Sequence, residues 1–194
     1  MLRETGAIVL ASASPRRSEM MSLAGIAFVV VPADICEDAL SGETPEAHVL
    51  RLSREKASAV AAASTGRFFI GADTVVVLDG VILGKPSDGA DARRMLTSLS
   101  GRSHQVITGF AVLDARLGTL INNSVTTEVS FKPLTENEIS RYVASGCPMD
   151  KAGAYAIQGG ALHFVRSISG SYTNVVGLPM TELYEALQAM QAID

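Results

Sequence analysis

The chain has 194 residues, 47% hydrophobic and 19% charged, which excludes a disordered polypeptide and fits one large domain or two intimate lobes. The formal net charge is −4 and the isoelectric point about 5.4, which argues against a dedicated nucleic-acid binder. Any anion-binding function therefore has to come from a local cluster of Lys and Arg. No charged-then-apolar leader opens the chain and no apolar run approaches the roughly 20 residues that span a bilayer, so neither a signal peptide nor a membrane partner is expected. Cys36 and Cys147 lie far apart and form no C-x-x-C pair, so they read as reduced thiols of a cytoplasmic protein. In that setting the glycosylation pattern Asn122-Asn123-Ser124 carries no weight.

The first element is the short apolar run Ile8-Val9-Leu10, read as a strand. Ser12 and Ser14 follow, and Pro15 then opens a helix to about Ala24 that Gly25 stops. Such a helix start presents unpaired N–H groups and a positive dipole end, with the guanidiniums of Arg16 and Arg17 in the same turn. Ser12, Ser14, Arg16 and Arg17 together could grip a polyphosphate, although a capped helix with two solvated arginines would look the same.

Ile26 to Val31 reads as a second strand, residues 34–43 as an acidic turn-like stretch, and Thr44-Pro45-Glu46 as the start of a helix to about Ser64. Phe68 to Leu78 is a strongly apolar strand, Asp79-Gly80 a hairpin turn, and Val81 to Leu83 the return. A helix through Ala90, Met95, Leu96 and Leu99 precedes Ser100-Gly101; Gln105 to Leu113 is a strand and 115–118 a turn. Ser124 to Phe131 alternates, with Val125, Thr127, Val129 and Phe131 on one face. Thr135 and Glu138 form a capping box for a helix that Gly146 ends. Residues 150–177 are rich in Gly and Ser around a strand at 162–168, and Pro179 starts a terminal amphipathic helix. Strands and helices alternate with hairpins interspersed, so the expected fold class is α/β, a mixed twisted β-sheet flanked by helices in a single domain, 1–194.

Asp73 is the strongest chemical candidate. It interrupts an apolar strand, where a carboxylate is costly to bury unpaired, so it should face a cation, a metal or a reacting water at a bulge or cleft. A structural ion pair with a neighbouring Arg or Lys is the alternative. Gly71 upstream fits a bulge or a close backbone approach. Lys56 follows Leu52 by four residues and aligns with Val49 and Ala59, which points it toward the packed side of its helix, although a generic lysine here would more often form a solvated surface pair with Glu55. Lys85, after the hairpin return, comes back toward the level of Asp73, unless it is a loop lysine without a partner. Glu37 lies in the acidic stretch, and a Glu37–Asp73 pair could hold a hard divalent cation if the fold brings them together. Gln158 sits among small residues and can read a base edge with both a donor and an acceptor.

His48, His104 and His163 have no zinc-ligand spacing. There is no G-x-G-x-x-G fingerprint, no Walker A sequence and no G-x-S-x-G elbow, so dinucleotide binding, P-loop chemistry and Ser/His hydrolysis lack support.

The chain resembles the Maf proteins, nucleotide pyrophosphatases related in fold to inosine triphosphatases. The resemblance rests on Ser12-Ala13-Ser14-Pro15-Arg16-Arg17, Arg54-Glu55-Lys56-Ala57, Gly71-Ala72-Asp73-Thr74, Gly84-Lys85-Pro86, the stretches 100–109 and 150–159, and Gly170 to Pro179. It implies a two-lobed fold with a central cleft, and hydrolysis of a nucleoside triphosphate to monophosphate and pyrophosphate with a divalent metal, Mg or Mn. By the same resemblance Asp73 is the catalytic base, with Glu37, Lys56 and Lys85 completing the metal and phosphate environment. Arg16, Thr74 and Gln158 fall where nucleotide preference is set and match the branch that prefers dTTP and UTP. Cys36 departs from the pattern, in which an acidic residue is common before the glutamate. A homodimer is compatible with the resemblance, though no dimer seam is readable. The competing expectation is a nucleotide-binding regulator of septum formation that uses the same cleft without turnover.

Overall fold

The computed structural model describes residues 7–194; the part of the leader expectation that rests on residues 1–6 lies outside them. A seven-stranded sheet comprises β1 (Ile8–Leu10), β2 (Val29–Val30), β3 (Phe68–Leu78), β4 (Val81–Leu83), β5 (Ser103–Asp114), β6 (Thr119–Phe131) and β7 (Val165–Ser169). The order is β2-β1-β3-β5-β6-β7, with β4 also paired to β3. β1 runs parallel to β2 and β3 and every other pair is antiparallel, so the sheet is mixed, as expected. Among the described residues six α-helices flank it: α1 (Pro15–Leu23), α2 (Pro45–Ala63), α3 (Gly89–Leu99), α4 (Glu136–Ala144), α5 (Tyr172–Val176) and α6 (Met180–Ala189).

One edge of β3 explains the cleft. β1 pairs with Phe68–Ile70 and β4 with Val76–Leu78, leaving 71–75 without a strand on that side. The chain leaves β1 at this gap through Ala11 and Ser12, and leaves β4 through Gly84 and Lys85. Two apolar cores lie on either side. One gathers Leu10, Met21, Phe68, Ile70, Phe110 and Leu183 under α1 and α6; the other gathers Val76, Leu96, Leu99, Phe131, Tyr142 and Phe164 under α3 and α4. Both are built on β3 and β5, which gives the two-lobed form implied by the resemblance.

On the opposite face α2 crosses β3 and β5. Strand alternation turns Phe69 and Val75 toward it, packed against Ala57 and Val49 respectively. The helix comes close because Gly71 and Gly109 lie beneath it. Thr44 caps α2 by accepting from Ala47 N, and the anticipated Thr135–Glu138 capping box opens α4. The Asp79-Gly80 turn has positive φ at both residues (52° and 78°), the geometry that turns a tight hairpin with the twist of its strands.

Several boundaries differ from the expectation. β2 is only two residues long, because Ile26 N closes a turn onto Met21 O and its side chain enters the core. β6 begins at Thr119 rather than Ser124, since the polar residues 119–123 complete the ladder with β5. β7 starts at Val165, after turns that end with Phe164 N bonded to Ala161 O. The short helix α5, capped by Ser171, was not anticipated. No helix among the described residues is long and apolar enough to cross a membrane.

Candidate active site

The gap in β3 opens into a cleft of about 720 Å³, lined from α1, the segment before α2, α2 itself, β3, the β4 exit and residues 150–158. Ser12, Ser14, Arg16, Arg17, Glu37, Lys56, Asp73, Thr74, Lys85 and Gln158 all border it. Every candidate named from the sequence thus reaches one place.

Asp73 pairs in register with Gly109, so the strand carries it without the bulge that was one expectation. The alternative held: Gly71 marks a close backbone approach, of α2. Asp73 therefore points toward α2, where the buried Lys56 donates to its Oδ1 at 2.7 Å. The same ammonium lies 2.6 Å from Glu37 Oε1, so one lysine joins two carboxylates from distant parts of the chain. Asp73 Oδ2 has no hydrogen-bond partner among the described residues. Burial by itself would raise the Glu37 pKa. The hydrogen bond and charge of Lys56, with Lys85 and Arg17 behind it, outweigh this and hold it below its ordinary value. Lys85 is exposed and approaches Glu37 Oε2 at 3.8 Å; its ion pair is with Glu37 rather than with Asp73, toward which the hairpin was expected to carry it.

Thr74, the next residue on β3, points to the other face. Its hydroxyl meets Thr108 Oγ1 at 3.0 Å and receives Arg17 Nη2 at 3.1 Å. Arg17, expected to bind phosphate, also makes contacts within the protein. Its guanidinium turns inward, donating to Gly177 O at 2.8 Å and to Ser12 Oγ and Ala72 O at 3.0 Å each. With those donors engaged, Arg17 braces the floor of the cleft that it also lines. Burial pushes its pKa down, against the pull of Asp73. Successive helical residues point about 100° apart, so one of two adjacent arginines had to turn away, a signal the sequence contained. Arg16 makes no hydrogen bond or ion pair among the described residues and borders the cleft, near enough to Asp150 that, with the Lys151 hydrogen bond, its charge helps lower that carboxyl's pKa.

Ser14 occupies the N-cap of α1 but its side chain makes no capping bond; its own N–H donates to Ser12 Oγ at 3.2 Å. The first-turn N–H groups of α1 are thus left without a side-chain acceptor, as an anion-binding helix start requires. Gln158 is half-buried and its amide has no partner among the described residues. The segment that carries it is pinned by Ala156 N donating to Tyr142 Oη at 3.3 Å, and by Tyr155 Oη at 2.7 Å from His104 Nε2. Sequence reasoning passed over three residues near Glu37: Glu43, His48 and Arg51. Glu43 accepts from Arg51 Nε at 2.6 Å and Nη2 at 2.8 Å, and lies 2.9 Å from His48 Nδ1.

Fold and cleft define a class: an α/β protein whose split sheet gathers lysines, an arginine and a helix N-terminus around two carboxylates, fitted to a polyphosphate anion. The chain belongs to the Maf family; the model of the Maf-like protein family matches residues 7–190. It is 58% identical over 194 residues, covering all of both chains, to the dTTP/UTP pyrophosphatase of Geotalea uraniireducens (strain Rf4). It is also 58% identical over 190 residues to that of Geobacter sulfurreducens, covering 98% of this chain and all of the relative. A dTTP/UTP pyrophosphatase of Shewanella denitrificans is 50% identical over 194 residues, with 96% and 97% covered.

Proposed function

We propose that this chain hydrolyses dTTP and UTP to the monophosphate and pyrophosphate. The observation that carries the reaction class is the Glu37–Lys56–Asp73 junction at the gap in β3. The nucleotide preference is supported by the names of the full-length relatives and by Arg16, Thr74 and Gln158, the positions that carry preference in the family resemblance. Nothing on the site favours a binding protein without turnover, which would have no use for a carboxylate left with a free oxygen.

In this reading Asp73 Oδ2 takes the proton of a water that attacks the α-phosphorus, while Lys56 keeps the carboxylate oriented through Oδ1. The new bond forms between water oxygen and phosphorus, and the bond to the bridging oxygen breaks, releasing pyrophosphate. Arg16, Lys85 and the start of α1 offset the negative charge of the triphosphate and of the leaving group. No group of three or more His, Cys, Asp or Glu able to hold a metal is found among the described residues. Two carboxylates are nonetheless a fitting donor set for Mg or Mn, which complete their shell with water and phosphate oxygens. Glu37 and Asp73 would hold such an ion, and bound there it would polarise the phosphoryl group. The cytoplasm, where nucleoside triphosphates are abundant, is the compartment this reading requires.

The test is a turnover panel with Mg²⁺ or Mn²⁺ and dTTP, UTP, CTP, dATP, GTP and 7-methyl-GTP, separating monophosphate and pyrophosphate by chromatography. Monophosphate chiefly from dTTP and UTP is the expected result. Preferential turnover of 7-methyl-GTP would overturn the assignment of Arg16, Thr74 and Gln158, and nucleotide binding without turnover would overturn the enzymatic reading.

A further inference from the structure

Glu37 reaches Lys56 from a stretch of chain with no regular structure. Between Val30, the end of β2, and Pro45, the start of α2, no residue belongs to a helix or strand, and residues 36–42 are all exposed. Such a segment is ordinarily mobile, because few buried contacts oppose its conformational entropy. Here it has a specific restraint, and the restraint sits on the same helix as Lys56.

Arg51 projects from α2 five residues before Lys56. Its Nε and Nη2 grip both oxygens of Glu43, at 2.6 and 2.8 Å, and Nη2 also donates to Asp38 O at 3.0 Å, one residue beyond Glu37. Glu43 in turn accepts from Leu40 N at 3.1 Å. The pair is shielded, with side chains 14% and 7% exposed, unlike a solvated surface bridge. The planar fork matters: an ammonium could meet the carboxylate or the carbonyl, but its point charge cannot hold both oxygens and the carbonyl in one plane.

We propose that Arg51 and Glu43 are positioning residues of the reaction, their fork-to-carboxylate pair fixing the segment between β2 and α2 so that Glu37 meets Lys56 beside Asp73. The inference rests on the hydrolase reading above and adds to it residues that touch neither nucleotide nor reacting atoms. Because Arg51 and Lys56 share one rigid helix, the clasp and the lysine keep a fixed spacing, and Glu37 is delivered in register with Asp73. Glu37 then contributes only while the clasp is closed.

The experiment compares the full chain with Arg51→Lys, Glu43→Gln, Glu37→Gln and the Glu37→Gln/Arg51→Lys double variant. Turnover of dTTP with Mg²⁺ is measured alongside amide hydrogen exchange across residues 34–43. Arg51→Lys should lower kcat about tenfold or more, in the range typical of residues that orient a functional side chain, and should raise exchange in the segment. In the Glu37→Gln background the Arg51 change should cause no further loss, an outcome that a merely stabilising role for Arg51 does not produce. Full activity of Arg51→Lys, or an undiminished loss in the Glu37→Gln background, overturns the proposal. If Arg51→Lys fails to fold, Glu43→Gln, which keeps the side-chain shape, carries the same comparison. The exchange measurement needs no turnover: unchanged exchange overturns the clasp whatever the assay shows. Raised exchange in a chain whose wild type hydrolyses nothing overturns the hydrolase reading alone.

Discussion

Gly71 passes so close beneath Ser53 that a methyl group on it would stand 2.0 Å from the Ser53 carbonyl oxygen. Gly109 on the neighbouring strand is in the same position under α2, where a methyl would come within 2.4 Å of Val49 O. The helix therefore rests on bare backbone at two points, Gly71 two residues before Asp73 and Gly109 directly across the ladder from it. That close contact brings the Lys56 ammonium within 2.7 Å of a carboxylate on the sheet.

Gly71→Ala should consequently destabilise the fold by about 3 kcal/mol or more, since neither the strand nor the helix backbone can yield to a methyl group. Gly84→Ala is the contrast. A methyl there meets nothing within 4 Å, so stability should stay within about 0.5 kcal/mol. Urea denaturation of the two variants decides the matter, and an unchanged midpoint for Gly71→Ala would show that α2 does not bear on the sheet there.

Asp73→Asn keeps an oxygen to receive Lys56 and should leave the fold intact, while removing the carboxylate oxygen proposed to take a proton from water. A fall in kcat of about 10²–10⁴ is expected for loss of a general base. Circular dichroism and thermal unfolding establish that the variant is folded. Activity within tenfold of the wild type would take Asp73 out of that role.

The two consecutive arginines should fail in opposite ways. Arg17→Ala leaves Ala72 O and Gly177 O without the guanidinium that now serves them, at a loss of about 2–4 kcal/mol of stability for a partly buried, charge-assisted network. Arg16→Ala removes a side chain that makes no hydrogen bond among the described residues, so the melting temperature should hold while the nucleotide ranking shifts. Paired melting and turnover measurements separate the two, and a stable Arg17→Ala protein would return Arg17 to the substrate.

Much of this architecture was legible in the residues. The Asp-Gly turn, the Thr135–Glu138 capping box and the Pro15, Pro45 and Pro179 helix starts are local signals, and local chemistry decided them. Lys56 was legible as an inward-facing lysine because helical periodicity aligned it with Leu52 and Val49. What was not legible depends on tertiary pairing. The polar run at 119–123 reads as a loop until β5 supplies its ladder. The gap opposite Asp73 arises only because β1 and β4, 70 residues apart in sequence, flank the same strand. Glu43 and Arg51 sat in an acidic stretch and on a helix face with no pattern of their own; their pairing appears only when the segment folds back.

His104 gives the fold a defined acid sensitivity. It is buried on β5, with Nε2 at 2.7 Å from Tyr155 Oη and its ring edge-on to Phe131 and Tyr155. Nδ1 has no hydrogen-bond partner among the described residues. Burial lowers its pKa from 6.5 to about 4, because protonation would add a charge and an N–H donor where nothing receives either. The folded state therefore binds its proton less readily than the unfolded chain. Stability is complete above the unfolded value of 6.5, declines as pH falls from there, and carries the full penalty below about 4. A shift of this size corresponds to about 3 kcal/mol. Melting temperature measured from pH 7 to pH 4 should fall less steeply for His104→Gln, which cannot charge, than for the wild type. Parallel profiles would mean that His104 is not what couples this core to pH.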